Sequence, residues 1–252
     1  MKERQEAIKK FIEEHGEVSI SQLSERFSDW SEMTIRRDLE LLEKNRCIIR
    51  TKGGARLLPT SYGVSEDVYG EREKRNFARK QEIARKAAKL FESDSGVFLD
   101  AGSTMMMFAR QMPDVNAAVI TSAPNIALEI ARTKQNPSII LLGGMLSRKT
   151  ISVSGLHLQE QLANLNIDTA FMSASGFTAK AGFSVGSQHE CELKRMVIEH
   201  ARRVVMLLDS SKAGTIMPFT FARASDIDIL VTDSTFPPEM RSILTGSNVK
   251  IV

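Results

Sequence analysis

The sequence predicts a small helical domain with a basic β-hairpin, followed by a larger α/β domain built on a mainly parallel sheet. Within the first sixty residues, three segments have apolar residues at helical spacing, and two short apolar runs flank a Gly-Gly pair. From about Gly96 onward, seven short apolar runs alternate with amphipathic segments, a pattern typical of βαβ units. The chain of 252 residues is long enough for two domains of unequal size.

Composition and charge restrict the class of protein. The hydrophobic (42%) and charged (26%) fractions are ordinary for a globular chain. The two cysteines are far apart, the N-terminus predicts an amphipathic helix rather than a signal peptide, and no apolar run approaches the roughly 20 residues of a membrane helix. We therefore expect a cytoplasmic protein without a disulfide framework or a membrane partner. The net charge of +3 is only mildly basic, but the segment 44–56 holds five basic residues and no acidic one.

The first two helices are marked by their periodicity and their end signals. Apolar residues at helical spacing predict a helix over about 2–15, which ends at Gly16 because glycine suits a left-handed C-cap. Ser19 and Gln22 have the spacing of a capping box, so the second helix begins after Ser19. A short turn at 28–30 leads into a third helix, and the three form a helix-turn-helix unit over about 20–40.

The third helix carries the residues that suggest DNA binding. Ile35, Leu39 and Leu42 form its buried stripe, and two adjacent arginines lie on the opposite face. A short helix of this kind after a turn has the form of a recognition helix in a major groove, although a solvated surface helix could carry the same charges. The predicted DNA contacts from this helix are Ser31, Met33, Thr34, Arg36 and Arg37.

A basic hairpin follows the third helix. Segments 47–51 and 55–58 read as strands joined by a turn at 52–54, which predicts the wing of a winged helix ending the domain 1–58. We expect its basic side chains to contact phosphates or a neighbouring minor groove, whereas a plain exposed hairpin is the alternative. These predicted wing contacts are Arg50, Lys52 and Arg56.

The join between the domains lacks a sustained period. Residues 59–70 are rich in Pro, Gly and Ser, and we predict a linker over 59–78 before a larger domain at 79–252. The charge-dense stretch 71–85 could be a second DNA-facing patch, but a solvated helix face is the preferred interpretation.

Polar residues follow three of the predicted strands, where ligands bind in parallel sheets. One strand runs into 100–104 (Asp-Ala-Gly-Ser-Thr), another into Gly143 and Gly144, and a third into 209–212, which ends in Lys212. Free amides, hydroxyls and a compact positive charge suit a phosphate. Glycine and serine after a strand are often only turn residues, but the three loops together predict an anionic small-molecule site.

The residues of the first domain resemble DeoR-type bacterial transcription regulators. The run Ser-Glu-Met-Thr-Ile-Arg-Arg-Asp-Leu at 31–39, followed by Gly-Gly-Ala at 53–55, is highly specific to that family. The turn at 28–30 is one residue longer than usual in the family, so the angle between the two helices is expected to differ. Similarity to the sensor domain of the same regulators continues in the segments 99–104, 121–122, 141–144, 153–155, 192–195 and 208–212.

The resemblance implies a sensor fold related to ribose-5-phosphate isomerase and CoA transferases, and an effector that is a phosphorylated sugar or a related intermediate. It implies these effector contacts: Asp100, Gly102, Ser103, Thr104, Ser122, Gly143, Gly144 and Lys212. The segments 173–176 and 187–191 depart from the family pattern, and we expect them to lie in the pocket region and to tune which sugar is recognised.

We therefore expect a repressor of a sugar-utilisation operon that binds operator DNA as a homodimer or homotetramer and responds to a phosphorylated sugar. No cofactor, metal site or catalytic residue is predicted. The alternative is an isomerase-like or CoA-transferase-like enzyme with an accessory DNA-binding domain. Isomerisation needs a carboxylate base, and Asp100 is the acid inside the candidate phosphate loop. We favour a role for Asp100 in holding that loop by hydrogen bonds.

Overall fold

The computed structural model describes residues 3–15, 17–44, 48–51, 53–57, 68–155 and 157–252. The chain divides into two compact units, Met1–Thr60 and Ser61–Val252. Gly16, Cys47, Lys52 and Leu58 of the predicted elements lie outside the described residues, as does most of the predicted linker.

The first unit is a three-helix bundle with a small antiparallel sheet. Its elements, in chain order, are α1 Glu3–His15, β1 Glu17–Ser19, α2 Ile20–Arg26, α3 Glu32–Lys44, β2 Ile48–Thr51 and β3 Gly54–Leu57. The core is formed by the predicted apolar stripes, and Ile8, Leu23 and Ile35 are fully buried. The predicted capping box is present, because the Ser19 hydroxyl accepts from the Gln22 amide at 3.2 Å and the Ser19 amide donates to the Gln22 side chain at 2.8 Å.

The sheet of the first unit has a strand that the sequence does not predict. β3 pairs with β2 as the hairpin and also with β1, with Val18 opposite Ala55. A Cβ atom at Gly54 would lie 2.0 Å from the Val18 carbonyl oxygen, so the close approach of β1 requires glycine there. β1 has only three residues, too few for a detectable alternation.

The second unit is a seven-stranded parallel sheet with helices on both faces. Its elements, in chain order, are α4 Tyr69–Lys74, α5 Phe77–Ala88, β4 Gly96–Leu99, α6 Ser103–Gln111, β5 Ala118–Thr121, α7 Pro124–Thr133, β6 Ser138–Leu141, β7 Met145–Ser147, β8 Ser152–Ser154, α8 Leu158–Ala163, β9 Ile167–Ser173, β10 Gly176–Thr178, β11 Gly182–Val185, α9 Gln188–His200, β12 Ala201–Leu207, β13 Phe219–Ala222, β14 Ile229–Val231, α10 Pro238–Gly246 and β15 Lys250–Ile251. The strand order is β15-β14-β12-β9-β4-β5-β6. All seven predicted strands are present, so the predicted fold class is confirmed.

Side chains alternate between two hydrophobic cores, one on each face of the sheet. Phe98 belongs to the core that includes Leu193 of α9, whereas Val97 and Leu99 belong to the core that includes Ile83 of α5. Along the chain, β5 and β6 add to one side of β4, and β9, β12 and β14 add to the other. The order therefore reverses between β4 and β9, and a crevice is expected beyond the carboxyl ends of these two strands.

The structure differs from the predicted linker in the segment 69–78. Residues 69–74 form α4, whose Tyr69 packs in the core of the second unit and donates its backbone amide to the Lys149 carbonyl at 2.9 Å. Two small antiparallel sheets, β7-β8 and β10-β11-β13, were also not predicted, because none of their strands contains three consecutive apolar residues. Among the described residues, none of the helices has both the length and the apolar character needed to cross a bilayer.

Candidate nucleic-acid interface and ligand site

The outer face of α3 is exposed and carries the two predicted arginines. Met33 is 76% exposed, and Arg36 and Arg37 are exposed on the same helix whose Ile35 and Leu39 are buried. The Arg36 guanidinium is held by Glu32 one turn earlier, with Nη2 to Oε1 at 2.6 Å. Arg36 must therefore break its exposed ion pair with Glu32 before it can contact a base.

Ser31 and Thr34 stabilise the start of α3. The Ser31 hydroxyl accepts from the Thr34 amide at 3.3 Å, and the two hydroxyls lie 2.9 Å apart. This is the geometry of an N-cap, so these two predicted DNA contacts already have a local structural role. In the longer turn before α3, Trp30 stacks on Phe27 with ring centroids 4.7 Å apart.

The hairpin contacts α3 through an ion pair and a backbone hydrogen bond, both made by Arg50. Arg50 of β2 is exposed and contacts Glu40, with Nη1 to Oε1 at 2.9 Å, while its backbone amide donates to Glu43. Lys52 and the side chain of Arg56 lie outside the described part of the structure.

Asp38, the acid beside the arginine pair, was not predicted to matter. It is 1% exposed and accepts hydrogen bonds from Arg4 and, at 3.0 Å, from Gln5. These bonds fasten α1 to α3, and they fix the helix that carries the arginines. The sequence feature that could have predicted this role is an acidic residue on the apolar side of α3.

A cavity of about 340 Å³ lies at the carboxyl ends of β4, β9 and β12, where the strand order reverses. We term it the cationic cavity, and its lining residues are Arg72, Arg75, Asn76, Lys80, Ala101, Gly102, Ser103, Thr104, Ser173, Ala174, Ser175, Glu190, Asp209, Ser211 and Lys212. Four of these side chains are cationic and two are carboxylates, so the lining favours an anion.

Local backbone geometry shapes the loop after β4. Gly102 has a φ of 128°, a conformation that residues with a Cβ atom rarely adopt, and α6 begins at the next residue. The first amides of a helix have no partner within the helix, and Ser103 and Thr104 add two hydroxyls that are largely buried. This combination is typical of a phosphate site, and the predicted residues Gly102, Ser103, Thr104 and Lys212 come together here.

Asp100 is placed differently from these neighbours. It is 2% exposed, and its Oδ2 accepts from the Ser173 amide and hydroxyl, both at 2.8 Å, and from the buried Lys194 ammonium. Lys194 also donates to the Ser173 carbonyl and lies 3.3 Å from a Glu190 oxygen. Asp100 thus joins β4, β9 and α9 and does not line the cationic cavity. Lys194 was not predicted as a site residue, although a lysine on the buried face of α9 is a signal that the sequence contains.

The structure does not bring Gly143 and Gly144 to the cationic cavity. The Gly143 amide donates to the Gln161 side chain at 2.9 Å. A Cβ atom at Gly144 would lie 2.6 Å from the Ser154 carbonyl oxygen, so this glycine permits the close approach of the β7-β8 hairpin. Ser122 is 1% exposed and lines a different, smaller cavity.

The α4-α5 junction, which was predicted to be a solvated helix face, supplies residues to the cationic cavity. Asn76, in a left-handed conformation, donates to Asp209 at 3.2 Å and to the Ser211 hydroxyl at 2.8 Å. Lys80 is 3% exposed, and its ammonium donates to the carbonyls of Arg72 and, at 2.7 Å, Arg75. Lys80 precedes the buried Ile83 and Ala84 at helical spacing, which was the available signal.

Burial lowers the pKa of Lys80 to about 8. Asp209 acts in the opposite direction, while the nearby charges of Lys212 and Arg72 lower the pKa further. An anion in the cationic cavity would favour the charged form of this lysine.

The smaller cavity, of about 120 Å³, adjoins the first. We term it the hydroxyl-lined cavity, and its lining residues are Asp100, Ala101, Ser122, Ser147, Lys149, Thr150, Ser152, Val153, Ser154, Gly186, Ser187, Glu190 and Leu193. Both departures from the family pattern contribute to cavity walls, 173–175 to the cationic cavity and Ser187 to this one. Within the described part of the chain, no group of His, Cys, Asp and Glu could hold a metal ion.

Both units match known family models. The model of the DeoR-like helix-turn-helix domain matches residues 4–61, and that of the DeoR C-terminal sensor domain matches residues 75–234. The chain is 34% identical to the HTH-type transcriptional regulator YulB of Bacillus subtilis, over 99% of this chain and 95% of YulB. It is 34% identical to GolR of Listeria innocua, over 92% of this chain and 90% of GolR.

A further relative is the glycerol-3-phosphate regulon repressor of Escherichia coli, 28% identical over 99% of this chain and 97% of the repressor. Among solved structures, ribose 5-phosphate isomerase A of Methanocaldococcus jannaschii aligns with a TM-score of 0.41 and 18% identity over 55% of each chain. From the two family models and the full-length relatives, the chain belongs to the DeoR family of helix-turn-helix transcription regulators.

Proposed function

We propose that this regulator represses an operon for the use of a sugar or sugar derivative, and that a phosphorylated sugar in the cationic cavity alters its affinity for the operator. The observation that carries the proposal is the convergence of four cationic side chains on the Gly102–Thr104 loop at the start of α6. The name of the E. coli relative, a glycerol-3-phosphate regulon repressor, supports a phosphate ester as the class of effector.

A phosphate ester fits the chemistry of the cationic cavity. The amides at the start of α6 and the hydroxyls of Ser103 and Thr104 can donate to phosphate oxygens. Lys80 and Lys212 supply compact positive charges, and Arg72 of α4 and the adjacent Arg75 can each bind two oxygens at once. The proposed effector contacts among the predicted residues are therefore Gly102, Ser103, Thr104 and Lys212.

On the DNA side, we propose that Arg36 and Arg37 contact base edges and that the wing contacts the backbone. Arginine reads guanine in the major groove through two hydrogen bonds, and phosphate contacts add affinity without sequence preference. The outer face of α3, which includes Met33, lies opposite the buried stripe that packs this helix into the bundle. The proposed wing contacts are Arg50, Lys52 and Arg56.

We also infer that two or more copies act together. Operators with two-fold symmetry pair with dimeric readers, because each recognition helix contacts one half-site. An exposed apolar surface at the β6 edge of the sheet is the candidate contact between copies, since Leu141 and Met145 there are 46% and 73% exposed.

The test measures DNA binding and the effector response in one system. DNA selected by the full chain from random duplexes is titrated by fluorescence anisotropy, with and without a panel of phosphorylated sugars. We expect a sequence-selective Kd that changes at least fivefold with one of them. Lys212→Met should abolish the response and leave effector-free binding intact, whereas Lys250→Met, an exposed lysine on β15, should change neither.

Two results would overturn the proposal. One is binding to duplex DNA without any sequence preference, and the other is an undiminished response in a Lys80→Met, Lys212→Met double variant. Steady turnover of aldose phosphates by the purified chain would favour the enzyme alternative instead.

A further inference from the structure

The two cavities of the second unit are neighbours that share part of their walls. Ala101 and Glu190 line both the cationic cavity and the hydroxyl-lined cavity. Glu190 is held beside the buried Lys194, 3.3 Å away, and Lys194 in turn binds Asp100. One ligand that passes Ala101 and Glu190 could therefore occupy both spaces.

The two spaces differ sharply in charge. Arg72, Arg75, Lys80 and Lys212 line the cationic cavity, against the carboxylates of Glu190 and Asp209. The hydroxyl-lined cavity has a single cation, Lys149, against Asp100 and Glu190. Both carboxylates are held by the buried Lys194, so this end carries little net charge, and a second phosphate would find one lining cation there instead of four.

Hydroxyl groups are the most numerous polar groups of the hydroxyl-lined cavity, whose wall also includes Ala101, Val153 and Leu193. Six of its lining side chains are alcohols, namely Ser122, Ser147, Thr150, Ser152, Ser154 and Ser187. Each can both donate and accept a hydrogen bond, as can each hydroxyl of a sugar or alditol. The hydroxyl oxygens of Thr150 and Ser152 lie 2.7 Å apart, so the β7-β8 hairpin places two hydroxyl groups side by side.

Ser187 stands at the edge of this space. It directly precedes α9, yet its side chain makes no capping hydrogen bond to the helix. At about 120 Å³, the cavity has room for roughly four water molecules, enough for the end of a short polyhydroxylated carbon chain.

We propose that the hydroxyl-lined cavity binds the uncharged polyhydroxyl end of the same ligand whose phosphate occupies the cationic cavity. The residues of this cavity, Ser187 above all, then select the length of the effector and favour one terminal phosphate over two. This inference rests on the proposed phosphate site and adds the part of the ligand that the site alone does not specify.

The experiment compares three probes by isothermal titration of the full chain: inorganic phosphate, D-glucitol 6-phosphate and D-fructose 1,6-bisphosphate. We expect glucitol 6-phosphate to bind at least tenfold more tightly than either of the others. Ser187→Leu should remove that advantage by filling the smaller cavity and should leave the Kd for inorganic phosphate within twofold. Ser242→Leu, the same substitution at an exposed site on α10, should change nothing.

A second variant, Ser187→Ala, keeps the test valid if Ser187→Leu fails to fold. This smaller change removes one hydroxyl and no helix cap, and we expect it to weaken glucitol 6-phosphate binding three- to tenfold with an unchanged melting temperature. Equal affinities for phosphate and glucitol 6-phosphate, or an advantage that survives Ser187→Leu, would overturn this inference while the phosphate site stands. Failure of all three probes to bind the wild-type chain would overturn the proposed function itself.

Discussion

Lys80 is the residue whose protonation ties the cationic cavity to pH. Its ammonium is almost fully buried among carbonyls and other cations, which lowers its pKa to about 8. The ammonium form attracts a phosphate and the neutral amine does not, so a bound anion must raise this pKa. Because phosphate esters lose their second proton near pH 6, the charge of the ligand is nearly constant above pH 7.

We therefore expect phosphate affinity to fall as the pH rises through about 8. Isothermal titration of a phosphate ester, D-glucitol 6-phosphate, between pH 7 and 9.5 measures this effect. Lys80→Met should bind more weakly at pH 7 and should lose most of the pH dependence, because Lys212 and the arginines stay charged in this range. A wild-type affinity that is flat across this range would contradict the assignment.

Asp100 and Lys194 form a buried ion pair whose value to the fold can be measured. Both side chains are at most 3% exposed, and removing Asp100 leaves the buried Lys194 ammonium with Glu190, 3.3 Å away, as its carboxylate partner. We expect Asp100→Ala to lower the free energy of unfolding by about 3–5 kcal/mol in urea titrations. Lys212→Met, which removes a cation from the cavity lining, should change it by less than about 0.5 kcal/mol.

A double-mutant cycle tests whether the two residues act as a pair. Since Asp100→Ala, Lys194→Met removes both charges, its cost should be clearly smaller than the sum of the single losses. Additive losses would show that Asp100 stabilises β4 and β9 through Ser173 alone, without a contribution from Lys194.

At the scale of elements, the strands of the main sheet are predictable and the small hairpins are not. The inner strands of the sheet carry apolar runs that are covered on two faces, as with Val97 and Phe98, which enter opposite cores. β7 and β8 have three residues each and are held by contacts distant in sequence, such as the bond from the Val153 amide to the Ser122 carbonyl. No local pattern encodes such a contact.

The candidate site divides in the same way. Ser103, Thr104 and Lys212 follow strands, so the topology of a parallel sheet predicts that they lie together. The cations of α4 and α5 could not be placed, because a run of charges reads as a solvated helix face until the fold turns it towards the sheet. Conversely, Gly143 and Gly144 also follow a strand, but their loop serves the β7-β8 hairpin instead.

The elements of the first unit assign separate roles to α3 and the wing. Arg37 lies on the exposed face of α3, and Arg50 on β2 contacts that helix through Glu40. We expect Arg37→Ala to weaken binding to selected DNA by about 1–3 kcal/mol and to leave non-specific binding nearly unchanged. Arg50→Ala should weaken both kinds of binding and reduce the slope of log K against log salt by about 1.

Anisotropy titrations at several salt concentrations measure both effects. Lys10→Ala, which removes an exposed cation from α1 of the same unit, is the matched control and should preserve the preference for selected DNA. An equal loss of specific and non-specific affinity in Arg37→Ala would assign this arginine to the DNA backbone.

At the scale of the whole molecule, chain order suggests how effector and operator are linked. α4 is the first described element of the second unit, and its Arg72 and the adjacent Arg75 line the cationic cavity. An anion in the cationic cavity would thus contact the described part of the second unit that is nearest in sequence to the first unit. Because coupling between two binding sites is reciprocal, selected DNA must change the affinity for the effector by the same factor that the effector changes the affinity for DNA.

The β6 edge of the main sheet gives the molecule a surface suited to a second copy. β6 is the strand at the edge of the sheet. The elements before and after it in sequence also carry exposed leucines, since Leu128 of α7 is 71% exposed and Leu146 of β7 is 52% exposed. Unpaired strand edges with apolar neighbours favour association, and two copies of one edge can pair about a two-fold axis. We expect Leu141→Lys to shift the chain towards the monomer in sedimentation equilibrium and to weaken binding to a two-half-site duplex far more than to a single half-site. Ile243→Lys, an equally exposed change on α10, should leave both unchanged, and an oligomer that survives Leu141→Lys intact would move the contact to another face.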